Sequence, residues 1–291
     1  MKTKILIIAV FSLLQNFFFA QEKTAFSEVK IPENYTRKLN IVYTKIDNWE
    51  GKLDLYYPSD KKVPTPLVIN IHGGGWNHGS KESQTGFGSF FKKGIAVANI
   101  EYRLESQGKA PAAVEDTKCA LNYLIQNAEK FNIDTDKIII MGSSAGAHLA
   151  MMAGFSGHNS VFDKNCPNEK KVKIFAVINK YGISDLAVPE MTKYKSARNW
   201  LGDNVDDMSF VKSVSPLYYV NEKTPPTFIV HGNKDSIVPY SQSEELYKKL
   251  RSYGVKTEFI TVENGGHGKF SQEEKRNVND KMWQFLEELG L

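Results

Sequence analysis

The chain predicts a doubly wound α/β fold, a mostly parallel sheet with helices on both faces, and three observations carry that prediction. Six short, nearly continuous apolar runs recur along the 291 residues, each followed by a helical pattern, and the third ends in Met141-Gly142-Ser143-Ser144-Ala145-Gly146. Runs without polar alternation suit strands buried on both faces of a parallel sheet. Strand and helix in alternation build that sheet, and a glycine-flanked serine between a strand and a helix marks its carboxyl edge.

The elements follow in order. Lys2 and Lys4 precede an apolar stretch over residues 5–14, then Gln15, Asn16 and Phe17-Phe18-Phe19-Ala20 before the polar Gln21. This reads as a secretory signal over residues 1–20, cleaved after Ala20. The alternative, a membrane anchor, needs about 20 uninterrupted apolar residues. The expectation is a secreted or periplasmic protein without a stable membrane anchor, with residues 21–291 as one domain. A polar lead-in reaches Thr36. Residues 38–46 then alternate with Leu39, Ile41 and Tyr43 on one face, and residues 52–57 with Leu53, Leu55 and Tyr57. Across a turn-rich gap over residues 47–51, they predict an antiparallel hairpin at a sheet edge.

The apolar runs cover residues 67–71, 95–100, 137–141, 174–178, 227–230 and 257–262. Val114, Leu121, Leu124, Ile125 and Ala128 keep a helical period behind Pro111, a favoured residue at a helix start. The last helix carries Met282, Trp283, Phe285, Leu286 and Leu289 on its apolar side. Residues 185–216 break the alternation and hold Met191, Tyr194, Trp200 and Met208. So long a connection is usually functional, and it reads as a short helical lid; the alternative is a surface excursion packed on its own aromatics.

Composition narrows the partners. The formal net charge is +4, Lys2 and Lys4 included, and no basic block is present, which argues against nucleic acid. Cys119 and Cys166 have neither redox-motif nor zinc-ligand spacing; they are a disulfide or two small buried hydrophobes. Gly73 to Gly75 lack the Lys-Ser/Thr ending of a phosphate loop. No metal or cofactor is indicated.

The chemistry rests on a serine, a base and an acid. In Gly142-x-Ser144-x-Gly146 the small neighbours let a cramped turn close with the serine hydroxyl exposed. Ser143 lacks the symmetric glycine spacing. Upstream, His72-Gly73-Gly74-Gly75-Trp76 fits a glycine-rich loop that offers backbone N–H groups to an oxyanion. A serine needs a base and the base an orienting group. Among six histidines, His267 stands apart in Asn264-Gly265-Gly266-His267-Gly268 after the last strand, where glycines give an imidazole room. His231 ends a strand and His72 heads the glycine loop, where a structural hydrogen bond suffices. Asp235, in the loop after the preceding strand, lies between serine and histidine in chain order; its alternative is a helix cap, a role that suits Ser241 better. Asp185 is the second candidate acid.

With these motifs the chain resembles serine esterases of the α/β-hydrolase fold, on the branch shared by hormone-sensitive-lipase-like esterases and bacterial feruloyl and acetyl esterase-like enzymes. The resemblance runs from about Asp54 to the C-terminus and includes Glu101-Tyr102-Arg103-Leu104 and Pro111-Ala112-Ala113-Val114-Glu115-Asp116. It implies Ser144, Asp235 and His267 as catalytic residues, with the backbone of Gly74, Gly75 and Ala145 as the oxyanion hole. Arg103 with Glu115 or Asp116 is then a structural ion pair. Trp76, placed in the substrate pocket, and the short lid tilt the reading toward the feruloyl and acetyl side, with a small-molecule or carbohydrate ester as substrate. Two alternatives stand beside it: a peptidase of the prolyl-oligopeptidase-like branch without a propeller, and a non-catalytic binding module on the same fold.

Overall fold

The computed structural model describes residues 27–60, 62–157, 159–167, 170 and 172–291; the expected signal over residues 1–20 and His158 lie outside them. Among the described residues, eight strands form one sheet in the order β1-β2-β4-β3-β5-β6-β7-β8. They are β1 (Tyr35–Ile46), β2 (Trp49–Pro58), β3 (Thr65–Ile71), β4 (Ala96–Ile100), β5 (Ile133–Ser143), β6 (Ile174–Lys180), β7 (Thr227–Gly232) and β8 (Thr257–Val262). β2 runs antiparallel to β1 and β4, and every other neighbouring pair is parallel. The fold class predicted from the apolar runs is the one observed.

Successive strand residues point to opposite faces, so one apolar run serves two cores. Leu67, Ile69, Ile71, Ile138 and Ile140 face the helices Ala112–Gln126 and Ala145–Phe155. Val68, Ile139, Met141 and Ile178 face Phe90 and Phe91 and the helix Gln272–Glu288, through Met282, Phe285 and Leu286. Each such side chain contributes roughly 1.5–3 kcal/mol through burial.

The edge hairpin departs from the sequence expectation in two ways. Ile46 pairs with Trp49, so Asp47 and Asn48 alone make the turn. The alternation of β1 also fails: the register shifts between Lys38 and Ile41 and again between Val42 and Thr44. Asn40 sits at φ 54° and donates its N–H to Asp54 Oδ1 at 2.8 Å. An inserted residue changes the phase of all that precede it, which leaves Leu39 46% exposed.

The segment 185–216 folds as the short helices Pro189–Lys193, Lys195–Leu201 and Met208–Ser213. Met191, Trp200 and Leu201 are buried in the main core, so the segment is packed down onto the sheet's helices. After β4, Arg103 grips Asp116 with Nε and Nη2 at 2.8–3.0 Å and reaches Glu115 at 3.2 Å, fixing the β4 exit to the helix Ala112–Gln126.

Cys119 on that helix is disulfide-bonded to Cys166, 47 positions further along the sequence, with 5.2 Å between the α-carbons. Closing a loop of that length restricts the unfolded chain. Reduction, or the double substitution C119A/C166A, should lower unfolding free energy by about 2–4 kcal/mol, measured by urea titration with and without reductant.

Candidate active site

At the carboxyl edge of the sheet, β5 passes into the helix Ala145–Phe155 through a single residue. Ser144 takes φ 54° and ψ −124°, a region that costs a non-glycine residue of order 1–3 kcal/mol. The surroundings impose it. A Cβ on Gly142 would overlap the backbone of Gly146, and one on Gly146 would overlap the carbonyl oxygens of Ile71 and His72. Glycine at both positions lets helix, β5 and β3 come into backbone contact. Ser144 donates its N–H to the Lys180 carbonyl at 2.9 Å. Ala145 is the first helical residue, so its N–H has no intrahelical acceptor and sits at the positive end of the helix dipole. Ser143, the competing serine, borders the same cavity.

The glycine loop faces this turn. Gly74 and Gly75 hold φ of 113° and 56°, and the Gly74 carbonyl accepts from the N–H groups of Asn77 and His78 at 3.0 and 3.1 Å. His72 is buried, stacks on Tyr102 with ring centroids 4.3 Å apart, and bonds the Gly73 carbonyl through Nδ1 at 2.7 Å. Burial pushes its pKa down to about 4 despite that bond. A neutral ring bracing the loop is the structural role expected of it.

Asp235 and His267 meet through two loops stitched together. Asn233 and Lys234 donate backbone N–H to the carbonyls of Val262 and Gly265 at 3.1 and 3.0 Å, and Asn264 donates its N–H to Asn233 Oδ1 at 2.7 Å. On that frame His267 Nδ1 lies 2.7 Å from Asp235 Oδ2. Asp235 Oδ1 accepts from the N–H groups of Ile237 and Val238 at 2.8 and 2.9 Å. A second imidazole shares the carboxylate: His231 Nε2 is 3.1 Å from Oδ2, and its Nδ1 is 2.7 Å from Ser243 Oγ. Burial alone would raise the Asp235 carboxyl; hydrogen bonds from His231, His267 and the two backbone amides outweigh it and hold the group well below the ordinary carboxylate range.

Ser144 and His267 line one cavity of about 710 Å³, with Gly74, Gly75, Tyr181 and Met191 among its walls. The Asp235 side chain is wholly buried behind the imidazole of His267, whose side chain is 16% exposed. Trp76 borders the cavity but is 1% exposed. Its indole stacks on Trp200 at 4.7 Å, and His148 meets both rings edge-on at 5.2 Å, so it ties the glycine loop to the segment 185–216. Asp185 serves that segment too: Oδ1 accepts the Ala187 N–H at 2.8 Å and Oδ2 the Tyr218 hydroxyl at 3.3 Å. Sequence reasoning missed His231 and Tyr181. Tyr181 lies edge-on to His267 at 4.8 Å, and nothing near it in sequence marks it. The spacing His231-Gly232-x-x-Asp235 was a usable signal for the former.

A family model described as BD-FAE matches residues 53–250. The chain belongs to the BD-FAE family. Its fold is that of the α/β hydrolases, as the resemblance implied. This BD-FAE protein is 26% identical to esterase LipC of Mycobacterium tuberculosis over 80% of its own length and 60% of that protein's. It is 27% identical to a probable isoprenylcysteine alpha-carbonyl methylesterase of Oryza sativa over 82% of the chain and 59% of the relative. The chain thus spans about 60% of the length of these curated relatives. Among solved structures, a truncated carbohydrate esterase from gut microbiota superimposes with a TM-score of 0.73 at 27% identity, covering 88% of this chain and 99% of that one. Native esterase 2 of Thermogutta terrifontis gives 0.72 at 26% identity, covering 90% and 96%.

Two outcomes test the site's physics. S144G should raise stability by about 1 kcal/mol in thermal unfolding, as relief of about 1–3 kcal/mol of strain exceeds glycine's entropic cost of about 0.5–1. Asp235, with its folded pKa depressed, contributes stability that is fully present above its unfolded pKa of about 3.9 and lost as pH falls through the folded value. D235N should therefore narrow the gap between stability at pH 7 and at pH 3, measured by denaturant titration at both.

Proposed function

We propose that the protein is an exported serine carboxylesterase acting on short-chain acyl groups, including acyl groups carried on carbohydrate. The observation that carries this reading is the 2.7 Å bond between His267 Nδ1 and the buried Asp235 carboxylate on a cavity that also holds Ser144. Asp235 keeps the proton on Nδ1, leaving Nε2 free to accept one. His267 takes the Ser144 proton as Oγ attacks the ester carbonyl, and Asp235 stabilises the imidazolium that forms. The oxyanion forms against the N–H groups of Gly74, Gly75 and Ala145, each worth about 10²–10³ in rate. His267 returns the proton to the departing alcohol, and water repeats the cycle on the acyl-enzyme.

Support for the acyl class comes from the named likenesses, one a carbohydrate esterase and another a T. terrifontis esterase solved with propionate. Export is read from the charged start and apolar stretch of residues 1–20, and the Cys119–Cys166 disulfide suits an oxidising compartment.

The test is hydrolysis of p-nitrophenyl esters from acetate to laurate, of acetylated and feruloylated xylan oligosaccharides, and of an aminoacyl anilide. Short esters and acylated sugars should be cleaved and the anilide spared. S144A should lose about 10⁴-fold or more in kcat with an unchanged circular dichroism spectrum. Retained activity in S144A would refute the nucleophile, and cleavage of the anilide alone would refute the esterase reading.

A further inference from the structure

The catalytic cavity has two unlike walls. Asn77, His78, Ser83 and Gln84 line it with hydrogen-bonding groups, whereas Ile183, Met191, Ile237 and Val238 line it with hydrocarbon. The first set stands on the segments around β3 and β4 and the second on those after β6 and β7, and these strands lie on opposite sides of β5 in the sheet. The two kinds of wall therefore face each other across Ser144. A short acyl chain is satisfied by hydrocarbon alone, so the polar wall addresses another part of the ester.

That wall is fastened from beneath. Lys81 is 2% exposed, and its Nζ donates to Asp54 Oδ2 on β2 at 2.9 Å. Asn99 of β4 donates its amide to the Lys81 carbonyl at 2.6 Å and to the Gln84 carbonyl at 3.4 Å. A buried charge and a buried amide thus tie residues 81–84 to two strands. Asn77 and His78 are tied by the Gly74 carbonyl, which accepts both of their N–H groups. Groups held in place in advance bind without the cost of ordering them.

His78 comes nearest to the chemistry. A Cβ on Gly74 would stand 3.3 Å from His78 Cδ2, and one on Gly75 would stand 3.9 Å from Asn77 Oδ1. The two side chains accordingly flank the glycines whose N–H groups face the oxyanion. An amide oxygen can only accept, so the contact between His78 Nδ1 and Asn77 Oδ1 places the ring proton on Nδ1. In the neutral ring Nε2, bonded to Cδ2, then offers a lone pair at the cavity mouth, where His78 is exposed. A hydroxyl donor matches it; a hydrocarbon alcohol would cover it unpaired, which disfavours that substrate.

We propose that His78 is a specificity-determining residue whose Nε2 accepts a hydrogen bond from a hydroxyl beside the scissile ester, so that esters of saccharides are preferred to esters of alcohols without a hydroxyl. This deepens the esterase reading and rests on it.

The test compares monoacetylated xylotriose with p-nitrophenyl acetate, which carry the same acyl group on a polyol and on an alcohol with no hydroxyl donor. In H78L the ratio of kcat/KM for the sugar ester to that for the nitrophenyl ester should fall at least about fivefold, as expected for the loss of one neutral hydrogen bond. H78Q, which puts an amide oxygen in place of Nε2, should keep most of the ratio. A smaller fall in H78L would overturn the assignment, and so would an equal fall in H78Q, because shape and not an acceptor would then be read. Calorimetric titration of S144A and S144A/H78L with the same acetylated xylotriose gives a readout without turnover. Affinity should drop at least about fivefold in the double variant; equal affinity, or no binding to S144A, would also overturn it. If the parent protein cleaves neither ester, the esterase reading fails, and the titration still decides whether His78 reads a sugar hydroxyl.

Discussion

Backbone contact between β3, β5 and the helix after β5 is the constraint on which the rest of the site depends. Gly142 lies against Gly146, and Gly146 against the carbonyls of Ile71 and His72. With no room for a Cβ at either place, the chain must reverse within one residue, and Ser144 absorbs the strain. The same contact brings the end of β3, and with it the glycine loop, to the serine. Ser144 and Gly74 are far apart in sequence yet line one cavity.

The second frame is the pair of loops after β7 and β8. Their backbone hydrogen bonds reduce two mobile connections to one rigid unit, and the buried Asp235 carboxylate is its centre. Four hydrogen bonds compensate the desolvation of that charge, the condition under which a buried carboxylate stays ionised. His231 belongs to this compensation: wholly buried and bonded to Ser243, it presents Nε2 to Oδ2, the same carboxylate oxygen that meets His267.

What could be read from the sequence divides along physical lines. The parallel strands were legible because burial on both faces writes itself as an uninterrupted apolar run, and the serine turn because steric closure demands glycine at fixed spacing. β1 was misread at Leu39 because a bulge at Asn40 shifts phase without changing composition. Ser144, Asp235 and His267 were legible as residue types in order; that Ser144 and His267 line one cavity with Asp235 bonded behind the imidazole is a product of the fold. Tyr181 left no local trace, since its place arises from ring contacts with His267 and Phe270, far along the chain. Trp76 was legible as unusual, but its stacking on Trp200 depends on how the segment 185–216 packs.

That packing has a consequence for how the molecule can vary. The segment is held by Trp76–Trp200 stacking and by Gln242, whose side chain bonds both N–H and carbonyl of Asp185, whereas the Asp235 and His267 loops are tied to each other and to Val262. The two sets of contacts share no residue. Side chains that Met191, Tyr194 and Ser196 contribute to the cavity can therefore be exchanged without disturbing the hydrogen bonds that align the carboxylate and the imidazole, and the shape of the chamber is free to drift over evolutionary time while its chemistry stays in tune.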